Sequence, residues 1–249
     1  MAASLRKLGA VLDKDARDLL KNPTMVVAVI LPAAMILLYH FVYREPLAVA
    51  DGDPAVRVLI DGLFLASALC LSVGMVVSMT LIYGIAEEKE KHTLRTLMLA
   101  NVSAGQVALA KGIVCLATTL VVGALCFALT GVGWGMFPAF IALTALGAVP
   151  VILLGLVLGL ASRDQMTAGL YGTPILLLCL VPMFAPIAPE AEAVAAYTPL
   201  GGVCELLRLL LEGSLTPEAA ALPLAVTAAW IAVGAVAFKL LYRRLAQDN

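Results

Sequence analysis

The chain has 249 residues, of which 62% are hydrophobic and 13% charged, with a mean hydropathy of +1.02 and a formal net charge of −1. Soluble domains are roughly half apolar and about one quarter charged, so this composition leaves little room for a soluble domain. It predicts an all-α integral membrane protein, and the balanced charge argues against a nucleic-acid partner.

The first 22 residues predict a helix that lies on the membrane surface. Leucine and alanine side chains recur at spacings of three and four, which gives the helix an apolar face toward lipid. The basic side chains fall on the other face, toward the headgroups: Arg6, Lys7, Lys14, Arg17 and Lys21. Charge spread along the whole segment is not the pattern of a cleavable signal peptide. Asn22-Pro23 ends the helix and turns the chain into the membrane.

Six apolar stretches are long enough to span a membrane. They are predicted at residues 25–43, 62–86, 112–130, 137–161, 167–187 and 222–241. Pro32 predicts a kink in the first span, and three prolines make the fifth span irregular. In the fourth span, Gly155 and Gly159 form a GxxxG pattern that allows another helix to approach closely.

The distribution of Lys and Arg predicts the orientation. An even number of spans puts both termini on one side, and that side carries 13 of the 16 Lys and Arg residues. The termini are therefore predicted to be cytoplasmic, and the loop 44–61 and the connection 188–219 face outward. The connection is only half polar and predicts two short, half-embedded helices at 193–196 and 203–211, with a bend at Gly201-Gly202. Charges at helical spacing predict an ion-pair ladder there: Glu205, Arg208 and Glu212.

Residues 86–111, AEEKEKHTLRTLMLANVSAGQVALAK, form the longest charged segment between two apolar runs. Leu94, Leu97 and Met98 repeat at helical spacing, with polar residues on the opposite side. Ser103 and Gln106 form a capping-box pattern before the third span. The segment predicts a short surface helix, a turn and a capped start to the next span. On these residues alone, a connector without a partner fits as well as a docking element.

The sequence offers little for catalysis or ion coupling. No Asp, Glu, Lys or Arg lies in the middle of a span, where an ion-coupled carrier usually needs one. There is no HExxH motif, no metal-binding cluster, no nucleophile with a paired His and no GxxxxGK[ST] motif for ATP. Five cysteines without metal spacing are predicted to be structural: Cys70, Cys115, Cys126, Cys179 and Cys204. Energy for uphill transport would therefore have to enter from a partner, and residues 86–111 are the largest cytoplasmic feature for one to contact.

At this segment the chain resembles the permease subunits of exporter-type (second-type) ATP-binding cassette (ABC) transporters. That family's pattern runs roughly E-x-E-x-G-T-L-x-x-L-L-x-x-P-V-S, with a Lys some eight residues later. The matching positions are Glu88, Glu90, Thr93, Leu94, Leu97, Met98, Val102, Ser103 and Lys111. His92 stands where Gly is usual and Asn101 where Pro is usual, although Asn still suits a turn. The order of the predicted elements and the stretch 197–213 are also similar to that family.

The resemblance implies one permease domain over residues 1–249, with residues 1–22 as the N-terminal interfacial helix and 87–101 as a coupling helix against a separate ATPase subunit. The implied coupling residues are Glu87, Glu88, Glu90, Thr93, Leu94, Leu97, Met98, Ser103 and Lys111. The chain itself would hold no cofactor, because ATP and Mg would be bound by two ATPase copies. A second permease chain, identical or related, would complete a multi-pass assembly in the plasma (inner) membrane.

The resemblance also implies that the second and fifth spans line the transport pathway. Candidate wall residues are Phe64, Met75, Met79, Met183 and Phe184. An apolar wall with soft Met side chains favours export of a hydrophobic or amphipathic cargo such as a drug, a lipid-like molecule or a peptide. The alternatives are a sodium-exporting permease of the same family, a secondary carrier driven by an ion gradient, and a membrane scaffold that transports nothing.

Overall fold

The computed structural model describes residues 9, 12–15, 17–18, 21–43, 53–92, 104–185 and 188–245, and every regular element among them is helical. Residues 12–15 and 17–18 belong to the N-terminal helix. The subsequent helices are α1 (Pro23–Val42), α2 (Pro54–Glu90), α3 (Ala104–Thr130), α4 (Phe137–Ala161), α5 (Gln165–Leu180), α6 (Pro189–Ala195), α7 (Gly201–Leu211) and α8 (Pro217–Leu245). Short 3₁₀ turns at Trp134–Met136 and Val181–Phe184 precede α4 and follow α5.

Within the described residues, five helices are long and apolar enough to cross a membrane, namely α2, α3, α4, α5 with its 3₁₀ turn, and α8. The prediction of an all-helical, multi-pass membrane protein is therefore confirmed. The first predicted span corresponds to α1, whose apolar part is the shorter stretch Val26–Val42. Its role as a sixth span stays a prediction.

The observed helix boundaries agree with the prediction in α4 but differ from it in α5 and α2. Helix α4, an apolar run bounded by polar residues or turns, has the predicted bounds. Helix α5 ends at Leu180 rather than near residue 187, because Pro182 has no N–H to continue the α-helix and the chain tightens into a 3₁₀ turn. Helix α2 begins at Pro54 rather than Gly62, because the Asp53 side chain caps it by accepting a hydrogen bond from the Ala55 N–H at 2.9 Å.

Helix α2 is the centre of the molecule, with 94% of its most apolar stretch buried by the other helices. Residues Val77–Ile82 within it are π-helical, a local change that the sequence did not predict. The GxxxG pattern of α4 lies against this part of α2. A Cβ at Gly155 would lie 2.8 Å from Val77 Cγ1, and one at Gly159 would lie 3.0 Å from Ile85 Cβ. The two glycines therefore permit the close approach of α4 to α2.

The end of the molecule opposite the N-terminal helix, which the charge distribution predicts to face outward, is called the outer end below. There the Phe64 ring of α2 contacts the rings of Tyr39 and His40 on α1 and of Tyr43 directly after it. The His40 Nε2 atom lies 2.6 Å from the Leu129 carbonyl oxygen of α3. These contacts fix α1 against both α2 and α3. Other faces of α1, α5 and α8 expose large apolar side chains, as expected for helices that contact lipid.

Candidate functional site

The last turn of α2 forms the centre of a polar network. It lies beside the N-terminal helix, at the end of the molecule opposite the outer end, which is called the inner end below. Residues 87–90 are four consecutive charged residues, and each one contacts a different part of the chain. This turn is called the inner hub below. The hub brings together the N-terminal helix, the start of α1, and the ends of α3, α4 and α5 that lie on this side.

Glu88 makes the most buried contacts of the inner hub. Its carboxylate lies 2.5 Å from Lys14 Nζ of the N-terminal helix and 3.0 Å from Lys111 Nζ of α3. The side chains of Glu88 and Lys111 are only 12% and 10% exposed. Charge pairs this far from water are screened weakly, and removing one partner leaves the other buried without compensation.

Asp15 extends this network from the N-terminal helix. Its carboxylate lies 3.5 Å from Lys14 Nζ and 3.7 Å from Lys111 Nζ, and its side chain is 9% exposed. Burial raises the pKa of the Asp15 carboxyl, with a further rise from the Glu88 charge, although Lys111 and Lys14 oppose it. Burial alone would lower the pKa of Lys14, but its hydrogen bond and attraction to Glu88 raise it above its ordinary value. Lys14 therefore stays charged in the network.

The other three residues of the inner hub bind backbone or side-chain groups of separate elements. Glu87 accepts a hydrogen bond from Asn22 Nδ2 at 2.6 Å. Lys89 Nζ donates to the Leu160 carbonyl at 2.6 Å, where a cation suits the negative end of the α4 dipole. Glu90 accepts from the Gln165 N–H at 3.3 Å, where an anion suits the positive end of α5. These contacts connect the start of α1, the end of α4 and the start of α5 to one turn of α2.

A cavity of about 450 Å³ lies beside the inner hub, between the N-terminal helix, the start of α1, the end of α2 and the start of α3. Its walls carry both acidic and basic side chains, and its floor includes the apolar side chains of Leu81 and Val114. The network is therefore accessible to water on one side.

His92 lies directly after the end of α2, in a backbone conformation that glycine adopts more easily. Lys91 caps the helix, and His92 has φ 56°, in the left-handed region, where its N–H donates to the Lys89 carbonyl at 3.0 Å. In the family pattern that the segment resembles, this position is Gly. The left-handed turn gives a physical reason for that preference, because a Cβ is unfavourable in this conformation.

This turn corrects the predicted boundaries of the surface helix 87–101. Residues 87–90 are the end of α2, and the left-handed residue His92 separates them from the rest of the predicted helix. Several predicted coupling residues lie outside the described residues: Thr93, Leu94, Leu97, Met98 and Ser103. Helix α3 begins at Ala104, directly after Ser103 and earlier than the predicted Gly112.

We expect His92→Gly to stabilise the chain by about 0.5–1 kcal/mol, because it removes the strain of a side chain in the left-handed region. That corresponds to a rise of about 1–4 °C in the midpoint of thermal unfolding for a chain of this size. His92→Val, with a β-branched side chain, should lower the midpoint. Shifts of both variants in the same direction would contradict this interpretation of the turn.

The structure also corrects the predicted role of Lys14, one of the N-terminal basic residues. Lys14 points to Glu88 instead of toward headgroups, because a buried carboxylate of α2 lies opposite it. Arg17 pairs with Asp13 one turn away, and Arg6 and Lys7 lie outside the described residues. Sequence reasoning did not identify the acidic partner Asp15 at all. The alternation of acidic and basic residues in DKDARD, residues 13–18, was the available signal.

The candidate wall residues do not share one surface. Phe64, Met75 and Met183 are at most 8% exposed and pack in the core of the chain. Met79 is partly buried against that core, whereas Phe184 is 46% exposed. Of the five, only Met79 and Phe184 present surface that a cargo could contact without movement of the helices.

The outer end carries the predicted ion-pair ladder and a second cavity. Arg208 Nη atoms lie 2.6 Å from carboxylate oxygens of Glu205 and Glu212, which confirms the ladder. The cavity, of about 620 Å³, lies between the start of α2, the end of α5, and helices α6, α7 and α8. Two short outer helices are present, as predicted, although α6 spans Pro189–Ala195 instead of 193–196 and α7 begins at Gly201 instead of Val203. Their half-embedded position stays a prediction.

A family model for the ABC-2 family transporter proteins matches residues 60–238, which include α3 to α7 and most of α2 and α8. The chain belongs to this family. No curated protein sequence matches the chain. Membership makes this ABC-2 protein a membrane transport subunit rather than a catalytic enzyme, and implies an ABC ATPase partner and a lipid bilayer. The matched range contains the inner hub and Lys111, but not Lys14 or Asp15 of the N-terminal helix.

Proposed function

We propose that this ABC-2 protein is the permease subunit of an ATP-driven exporter that moves a hydrophobic or amphipathic small molecule out of the cell. ATP hydrolysis occurs in a separate ATPase subunit, two copies of which act with two permease chains, identical or related. The observation that carries the proposal is the inner hub, where one turn of α2 binds the N-terminal helix and the ends of α3, α4 and α5.

The hub gives a physical route from the ATPase to the spans. The segment between His92 and Ala104 contacts the ATPase, with Leu94, Leu97 and Met98 as its apolar face. Glu87, Glu88 and Glu90 are engaged within the chain, so we assign them a positioning role instead of direct contact with the ATPase. A shift of this segment moves the last turn of α2 and, through its contacts, the neighbouring helix ends.

The cargo class is inferred from the chemistry of the spans. In the described parts of the five spans, charged side chains are confined to the helix ends, so no fixed charge is available at mid-membrane to bind an ion. Met79 and Phe184, which have exposed surface, are the preferred cargo contacts. Soft, flexible Met side chains adapt to apolar molecules of different shape.

The test uses inside-out membrane vesicles from cells that express the chain with its neighbouring genes, among which we expect a P-loop ATPase. We expect ATP-dependent accumulation of a hydrophobic fluorescent dye that persists when an uncoupler collapses the proton gradient. The matched control is an ATPase with its P-loop Lys replaced by Ala, which should abolish accumulation. Dye movement that needs a gradient but no ATPase would identify a secondary carrier, and ATP-dependent sodium uptake without dye uptake would overturn the cargo class.

A further inference from the structure

Two free cysteines from distant parts of the chain meet where α7 packs against α2. Cys70 Sγ of α2 and Cys204 Sγ of α7 lie 3.6 Å apart, although the residues are 134 positions apart in sequence. A disulfide needs an S–S distance of about 2 Å, so a small displacement of the two side chains would bring the sulfur atoms into bonding range.

The outer cavity gives one of these thiols access to small solutes. Cys204 is partly exposed and lines the cavity of about 620 Å³, together with Ala66, which lies about one turn of α2 before Cys70. Cys70 is fully buried behind Cys204. The pair therefore has the arrangement of an accessible thiol that reacts first and a buried thiol that resolves the product.

We propose that Cys70 and Cys204 form an oxidation site that hydrogen peroxide converts to a disulfide between α2 and α7. The Cys204 thiolate attacks one peroxide oxygen, the O–O bond breaks, and a sulfenic acid and hydroxide form. The Cys70 sulfur then attacks the sulfenic sulfur, the S–S bond forms and the S–O bond breaks. The departing oxygen leaves as water, and the protons of the two thiols end in two water molecules. Both thiols are oxidised by one peroxide, so no other reactant is needed.

The disulfide has a structural consequence for α2. Helix α7 packs on α2, α4 and α8, and a covalent bond at Cys70 would hold it against the outer half of α2. The inner hub lies at the other end of the same helix. Oxidation would therefore restrict movement of α2 relative to the outer helices.

Cys179 is the competing partner within the described residues. A Cβ at Gly74 would lie 3.1 Å from Cys179 Cβ, which places this thiol beside α2 about one turn beyond Cys70. The test must therefore identify which sulfur atoms become linked.

The experiment oxidises the purified full chain in lipid nanodiscs with hydrogen peroxide, blocks the remaining thiols with N-ethylmaleimide in denaturant, and maps the peptides by mass spectrometry. We expect loss of two alkylated thiols and a peptide linked through Cys70 and Cys204, reversible with dithiothreitol. The midpoint of thermal unfolding should rise by about 5 °C or more upon oxidation, because the bond closes a long loop.

Cys204→Ser and Cys70→Ala should each abolish the linked peptide and the thermal shift, whereas Cys126→Ser, which removes a thiol of α3, should leave both intact. Five alkylated thiols after peroxide treatment of the wild-type chain, or a bond to Cys179 instead of Cys70, would overturn the proposal. The test involves no ATP and no ATPase, so its outcome is independent of the proposed transport function.

Discussion

Glu88→Gln is expected to lower cargo-stimulated ATP hydrolysis and transport at least tenfold while the chain still inserts in the membrane. The amide leaves Lys14 and Lys111 without the Glu88 charge, so that Lys14 keeps Asp15 and the exposed Asp18 as partners and Lys111 keeps Asp15. Breaking a buried charge pair typically costs 3–5 kcal/mol. We expect a loss of about 2–3 kcal/mol here, because Asp15 retains part of the attraction and water reaches one side of the network.

A double-mutant cycle with Lys111→Met separates the pair from general effects of either substitution. The double variant should lose less stability to thermal unfolding than the two single variants lose in sum. The reason is that Lys111 of α3, which Glu88→Gln leaves without its partner, is also removed. The matched control is Asp13→Asn, which breaks the exposed Asp13–Arg17 pair of the same N-terminal helix and should cost under about 1 kcal/mol. Equal losses for Glu88→Gln and Asp13→Asn would contradict the importance of the inner hub.

Gly201→Ala is expected to prevent the outer helices from packing as they do. A Cβ at Gly201 would lie 1.9 Å from the Ala195 carbonyl oxygen and 2.9 Å from the Ala196 carbonyl carbon. Both are backbone atoms, so no change of rotamer relieves the contact, and α6 and α7 would have to separate. We expect a loss of more than about 3 kcal/mol, seen as a midpoint of thermal unfolding roughly 10 °C lower or as a failure to obtain folded protein.

Gly62→Ala provides a matched control in the same region. A Cβ at Gly62 would lie 3.9 Å from Leu211 Cδ1 of α7, an ordinary van der Waals contact. This substitution should be neutral or slightly stabilising, because Ala favours the helix over Gly. A midpoint for Gly201→Ala within about 2 °C of that for Gly62→Ala would contradict the close approach of α6 and α7.

The sequence predicted most of the helices because, in a membrane protein, long apolar runs between polar residues identify the spanning helices. The bounds of α4 were predicted to the residue, since Gly and Trp residues precede it and Ser162-Arg163-Asp164 come directly after it. The Glu205–Arg208–Glu212 ladder was predictable too, because helical spacing alone brings those side chains together.

The inner hub was predicted only in part, because its contacts join distant residues. Helical spacing and family resemblance identified Glu88, Glu90 and Lys111 as important, but not their partners. Glu88 meets Lys14 from 74 positions away, and Lys89 meets Leu160 from 71 positions away. Local periodicity contains no information about such pairs. The same reason hid the Cys70–Cys204 contact. The π-helical segment of α2, which lies against the glycines of α4, was not predicted either.

The most direct test of the proposed coupling is purification of the chain in mild detergent after expression with its neighbouring genes, followed by an ATPase assay. We predict that a P-loop ATPase copurifies, and that it is lost when residues 93–101 are scrambled. It should be retained in Glu88→Gln, which lowers stimulated hydrolysis and transport without releasing the ATPase. A chain that purifies without any ATPase, or an ATPase that remains bound and fully stimulated after scrambling, would contradict coupling through this segment.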